Sequence, residues 1–271
     1  MKLLFFCPRW GSHELPPEAF VERVAAAGYD GIEIGFEDGD SRDEAIPELA
    51  RESGLEIITQ HFATFAVDGP THLREFLSRM ERAASFHPLF IASQTGRDLW
   101  NLDQNLCVMD AAARFSLDTG IEVLHETHRA RCLHTPWRTS EILCQRPETK
   151  LVFDMSHWCN VCESLLDDQE ETLLGLLPAI RHIHARVGHS QGPQVSDPRA
   201  PEWKDAVNAH LKWWDRIVDT HCRAGVQQLT ITPEFGPPPY FPILPWTKAP
   251  VGSQWDINLH MMQLLRRRYQ I

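Results

Sequence analysis

The 271-residue chain is 43% hydrophobic and sets 37 acidic against 26 basic side chains, a formal charge of -11. That length and apolar content suffice for one substantial core and leave no need for a second, so residues 1–271 are read as a single domain. The acidic balance speaks against broad contact with nucleic-acid phosphates or anionic membrane surfaces, though it allows a local basic pocket.

The chain opens MKLLFFCPRWG, and Pro8 and Arg9 end its apolar run, far short of the roughly 20 residues a spanning helix needs. It also lacks the longer apolar region and cleavage site of a signal peptide. The first strand is expected at about residues 2–6. Phe20, Val21 and Val24 then repeat at helical spacing up to Gly28, and a strand follows at 31–36, with Glu33 turned into the interior as a structural hydrogen-bonding group or a substrate contact.

The same joint recurs along the chain. "RESGLEIITQHF", "LDTGIEVLHETH" and "CRAGVQQLTITPEF" each end a helical pattern at a glycine (Gly54, Gly120, Gly225) and begin a β-branched run. Glycine suits that position because helices commonly terminate in a residue at positive φ. Strands are placed at 56–62, 121–126 and 227–234 after these glycines, and further ones at 89–94, 151–156 and 181–186. Leu73, Phe76, Leu77, Met80 and Ala84 mark an amphipathic helix between the third and fourth. Eight strands alternating with helices predict a (β/α)8 TIM barrel of the α/β class. An open doubly wound sheet is the rival, but neither G-x-G-x-x-G nor G-x-x-x-x-G-K-[ST] occurs in the chain.

Two proline- and glycine-rich stretches, 187–202 and 235–253, follow strands seven and eight. In a barrel they would rim the active-site mouth as lids or substrate walls. The second, with Tyr240, Phe241 and Trp246, reads equally well as a subunit contact that would make the protein a homo-oligomer. The seven cysteines are odd in number and scattered, the pattern of reduced thiols and hence of a cytoplasmic protein. Cys159 and Cys162 form a lone C-x-x-C with no second pair at zinc-finger spacing.

Four consecutive strands end in potential ligands. Strand five closes "VLHETH" with Glu126, strand six "LVFDMSH" with Asp154, strand seven "IRHIHARV" with His182 and His184, and strand eight "LTITPEF" with Glu234. In a parallel barrel these carboxyl ends converge on one mouth. Three carboxylates and an imidazole gathered in a dry funnel are costly unless a divalent cation neutralises them, and an O,O,O,N set suits Mn2+, Mg2+ or Co2+, with Zn2+ also admitted. Taken singly, each residue has a plainer reading. Asp154 could cap a helix, His182 could be a core residue one layer deeper, and Glu126 or Glu234 could pair with Arg129 or Lys248.

On the D-x-x-H of Asp154 to His157, the H-x-H of His182 to His184 and the glutamate of "ITPEF", the chain resembles the xylose isomerase-like TIM barrels, the sugar isomerase and epimerase superfamily. That superfamily includes ketose 3-epimerases, inosose dehydratases and type IV apurinic endonucleases. The resemblance runs from "AAAGYDGIEI" onward and implies one divalent ion on Glu126, Asp154, His184 and Glu234. It also implies proton-transfer roles for Glu126 and Glu234. Ketose 3-epimerases usually carry a glutamate where this chain has Cys132 and an arginine where it has Ser190; Arg186 is the nearest substitute.

His61 in "ITQHF" and His157 are expected to bond substrate hydroxyls, and Trp10 to form an apolar wall or simply pack. His125 is out of phase with Glu126 and should face a helix, whereas His128 and His189 lie beyond the strands. The expected activity is metal-dependent isomerisation, epimerisation or dehydration of a small sugar or polyol by α-proton abstraction. The alternatives are a type IV apurinic endonuclease-like nuclease, disfavoured by the acidic charge, and a non-catalytic sugar-binding barrel.

Overall fold

The computed structural model describes residues 1–36 and 41–270. Its strands are β1 (Lys2–Pro8), β2 (Gly31–Gly35), β3 (Glu56–His61), β4 (Ile91–Ser93), β5 (Val123–Glu126), β6 (Leu151–Phe153), β7 (Ile180–His184) and β8 (Gln228–Thr232). All neighbours pair in parallel, and β1 pairs with β8 to close the barrel. The helices among the described residues are α1 (Pro17–Ala26), α2 (Ile46–Glu52), α3 (Gly69–Ala84), α4 (Leu102–Thr119), α5 (Pro136–Gln145), α6 (Met155–Val161), α7 (Glu170–Leu176), α8 (Lys204–Arg223) and α9 (Gln254–Tyr269).

The glycine joints behave as their spacing predicts. Gly28, Gly54, Gly120 and Gly225 all have positive φ, between 71° and 81°. At Gly120, which ends α4, an added Cβ would meet no atom within 4 Å. Gly120→Ala therefore isolates backbone strain from packing. It should lower stability by about 1 kcal/mol and the melting temperature by roughly 2–4 °C, and an unchanged melting curve would contradict that reading of the joint.

Alternation along the strands divides two cores. Leu4, Phe6, Ile58, Ala92, Leu124 and Val152, from five strands, fill the barrel interior with Phe90. Ile32, Ile34, Ile57, Ile183 and Ile231 join the larger core beneath the helices. Counting in twos from the interior set carries the inward face up to Gln60, Glu126 and Asp154 at the mouth.

Strands six, seven and eight stop at Phe153, His184 and Thr232, short of the expected 156, 186 and 234. On strand six, Asp154 caps α6 at once. On strand eight, Pro233 has no N–H with which to continue a ladder. No helix among the described residues is long and apolar enough to cross a membrane. All seven cysteines are free thiols.

The long loops divide in behaviour. Segment 187–202 is tied down: Val195 donates to Val187 O at 2.9 Å, and the Gln194 side chain makes two hydrogen bonds to the Gly236 backbone, accepting at 2.7 Å and donating at 3.2 Å. It contributes no residue to the wall of the mouth cavity, contrary to its reading as a substrate wall. From 235–253, Pro237 and Tyr240 line the cavity, while Trp246 at the tip is 97% exposed.

Candidate active site

Glu126, Asp154, His184 and Glu234 converge, each buried, with one donor atom from each lying within 4.8 Å of the others. The backbone around them is fixed from several directions. Thr127 Oγ1 accepts from Asp154 N at 2.8 Å and donates to Asp154 O at 3.0 Å, locking the end of β5 to the end of β6. Beyond Glu234, the Asn258 side chain of α9 accepts from Phe235 N at 2.9 Å and donates to Phe235 O at 3.1 Å.

His184 sits at the centre. Its Nε2 bonds Glu33 Oε1 at 2.9 Å, and its Nδ1 lies 3.0 Å from Glu234 Oε2 and 3.6 Å from Glu126 Oε1. Neither Nδ1 approach is aligned as a hydrogen bond, so this buried nitrogen has no satisfied partner. A donor atom left unpaired among carboxylate oxygens, its ring held from behind by a further carboxylate, is how a metal-ligating histidine is arranged. The residues therefore fit a divalent cation. Within the chain's own groups, burial opposes charging of His184, but Glu234 and Glu33 overcome it and lift its pKa well above the ordinary value.

Glu33 is thereby placed away from substrate. It is fully buried, absent from the cavity wall, and also holds His182 Nε2 at 3.2 Å. His182 completes its bonding with Thr230 Oγ1 at 2.6 Å. Glu33 positions two histidines, which corrects its reading as a substrate contact.

His61 is also not at the mouth. Both ring nitrogens are engaged, Nδ1 with Ser93 Oγ at 3.0 Å and Nε2 with Thr64 Oγ1 at 2.6 Å, and burial pushes its pKa well down. The chain of hydroxyls continues through Thr95 to His125 Nδ1. The neighbouring residue Gln60 takes the mouth position, donating to Glu234 Oε1 at 2.8 Å. Ile57 and Ile58 are both apolar, so the sequence leaves the phase of β3 undefined at that point.

His157 is likewise displaced from substrate. It lies on α6, fully buried, with its ring 3.8 Å from that of His128, which lines the cavity. His128 donates through Nδ1 to Arg129 O at 2.5 Å, leaving Nε2 for a ligand. Burial holds both imidazoles well below their ordinary pKa. Arg186 does reach the cavity. It donates to Asp154 Oδ2 at 2.5 Å, Ser156 Oγ at 3.0 Å and His157 Nε2 at 2.6 Å. Glu126, His128 and His157 form a further close donor group; the Arg186 guanidinium occupies His157 Nε2 there, as it occupies Asp154 Oδ2 in the first group.

Asp154 accepts from Ser156 N at 2.9 Å, so it serves as helix cap and as site carboxylate together. The structural pairings considered for the glutamates do not form: Arg129 reaches Asn160 Oδ1 at 3.3 Å, and Glu234 bonds Gln60. Above these groups opens a cavity of about 660 Å³, walled in part by Trp10, Phe36, Phe62 and Tyr240. Trp10 meets Tyr240 edge to face at 5.1 Å, so it is a wall residue and packs as well.

No family model and no curated protein matches the sequence. Solved structures do match. A xylose isomerase domain-containing protein from Salmonella typhimurium LT2 is 15% identical, with a TM-score of 0.65 over 97% of this chain and 94% of that one. A probable 3-DHS dehydratase involved in petrobactin synthesis from Bacillus anthracis is 15% identical, with a TM-score of 0.61 over 97% and 98%. A xylose isomerase-like TIM barrel protein from Mycobacterium smegmatis, solved in complex with magnesium, is 13% identical, with a TM-score of 0.58 over 97% and 96%. At these identities the likeness is one of fold alone, that of a closed (β/α)8 barrel.

Proposed function

We propose that the protein is a divalent-metal-dependent enzyme that isomerises, epimerises or dehydrates a small sugar or polyol by removing a proton α to a carbonyl. The observation that carries this reading is the convergence of Glu126, Asp154, His184 and Glu234 beneath an open cavity. Three carboxylates and one imidazole suit one Mg2+, Mn2+ or Co2+, with Zn2+ also accommodated. When bound, such an ion supplies Lewis-acid polarisation of a carbonyl and acidifies the neighbouring C–H.

The chain's own residues supply the proton transfers. Burial raises the pKa of Glu126. At Glu234 burial pulls the same way, but His184 and Arg186 overcome it and hold the pKa down. Both carboxyls line the cavity, where one can take a proton from the substrate and the other return it. Gln60 orients Glu234, His128 Nε2 is available to accept from a substrate hydroxyl, and Trp10 with Tyr240 restricts water.

The test is metal analysis of the purified protein together with incubation in D2O against a panel of small ketoses and aldoses. About one divalent ion per chain and deuterium at the α-carbon of one substrate are expected. A sugar that binds without exchange would favour a non-catalytic sugar-binding barrel. Glu33→Gln adds a second check, because it removes the charge that holds His184 from behind. Metal affinity should fall about 10–100-fold, measured by competition with a chelator, and unchanged affinity would remove Glu33 from that role.

A further inference from the structure

The cavity carries more positive charge than its floor uses. Arg9, Arg97, Arg129, Arg131 and Arg186 border it. Two of these are neutralised. Arg9 makes a two-point pair with Asp43, at 2.9 and 2.8 Å, and Arg186 pairs with Asp154. Among the described residues, Arg97, Arg129 and Arg131 are ion-paired with no carboxylate, in a chain whose formal charge is -11.

Neutral groups hold all three in place. Arg131, only 4% exposed, donates to Thr64 O at 2.7 Å and Phe62 O at 2.5 Å, with its guanidinium over the Phe65 ring at 4.9 Å. Arg97 donates to Phe65 O, and the Asn105 side chain pins its backbone N–H and C=O, each at 2.9 Å. Arg129 reaches the Asn160 amide and lies 5.2 Å from the centre of the Tyr240 ring. Carbonyls, amides and rings aim a guanidinium without cancelling its charge. At Arg131, burial and then the charge of Arg97 lower the pKa to about 10.

We infer that the β4–β5 side of the cavity binds a terminal oxyanion, a phosphate ester or carboxylate, carried by the substrate and gripped by Arg97, Arg129 and Arg131. The planar guanidinium fork matches both groups. The inference rests on the proposed sugar chemistry for the rest of the ligand, since the same cavity runs from these arginines to Glu126 and Glu234. A sugar acid or sugar phosphate would then lie with its charged end on the loops after β4 and β5 and its carbonyl over Glu126 and Glu234.

The experiment compares three probes with one six-carbon skeleton, D-glucitol, D-gluconate and D-glucitol 6-phosphate, by calorimetry on chelator-stripped protein. At least one anionic probe should bind tenfold or more tightly than glucitol. That preference should collapse in Arg97→Gln and in Arg129→Gln, with circular dichroism confirming the fold. Arg131 is left intact in these variants because it also braces two backbone carbonyls. The probe whose advantage disappears identifies phosphate or carboxylate as the recognised group. Equal binding of all three probes, or a preference that survives both substitutions, overturns the inference. Because the measurement needs neither metal nor turnover, retained anion preference alongside absent deuterium exchange would sink the proposed reaction and leave the anion site standing.

Discussion

At saturating metal, Glu126→Gln and Glu234→Gln should each reduce turnover by roughly a hundredfold or more while sparing most substrate binding. Glutamine keeps the size and one oxygen but cannot accept a proton at that atom. In the direction where Glu234 abstracts the proton, Glu234→Gln should abolish solvent deuterium exchange. Glu126→Gln should instead slow delivery of the proton and leave exchange relatively faster than product formation. Cys132 stands where ketose 3-epimerases usually have a further glutamate, and its thiol is pushed up to about 12 by burial, so it supplies no base there. His61→Ala is the contrasting control. It breaks a buried chain with Ser93, Thr64 and Thr95 and should register as lost stability. If both glutamine variants exchange the α-proton at the parent rate, the glutamates are structural and His128 becomes the first base to test.

Asp154→Asn should lower metal affinity by more than the roughly 10–100-fold expected for losing an outer partner such as Glu33. Asparagine is the informative change. Asp154 is fully buried, caps α6 and neutralises Arg186, so alanine would also strand a buried guanidinium, at a cost of about 3–5 kcal/mol, and remove a cap worth about 1 kcal/mol. Asparagine keeps the acceptor for Ser156 N and with it the helix cap, but it turns an amide N–H toward Arg186, so that guanidinium loses its carboxylate and the site loses one of three negative charges. Chelator competition and denaturant unfolding on the same samples separate the effects. Parent-like metal affinity in a folded Asp154→Asn protein would take Asp154 out of the ligand set.

The alternation of strands and helices was legible because it depends on local patterns. A glycine at positive φ closes a helix wherever it occurs, and β-branched runs between such joints form strands whatever surrounds them. The convergence of Glu126, Asp154, His184 and Glu234 was also readable, since barrel topology brings the ends of β5 through β8 to one mouth. Side-chain phase was less secure. In β3 both alternating sets are apolar at Ile57 and Ile58, so only packing into the closed barrel decides that Gln60 faces in and His61 faces out. Glu33 could be placed inside the barrel from its strand, but its two histidine partners are 149 and 151 residues away. The arginines were hidden for a related reason: Arg97, Arg129 and Arg131 lie in loops with no period to read. Only the tertiary structure shows that no described carboxylate pairs with them. Local sequence determines where the backbone turns and which strand ends meet; the pairing of charges across the mouth depends on distances set by the closed barrel.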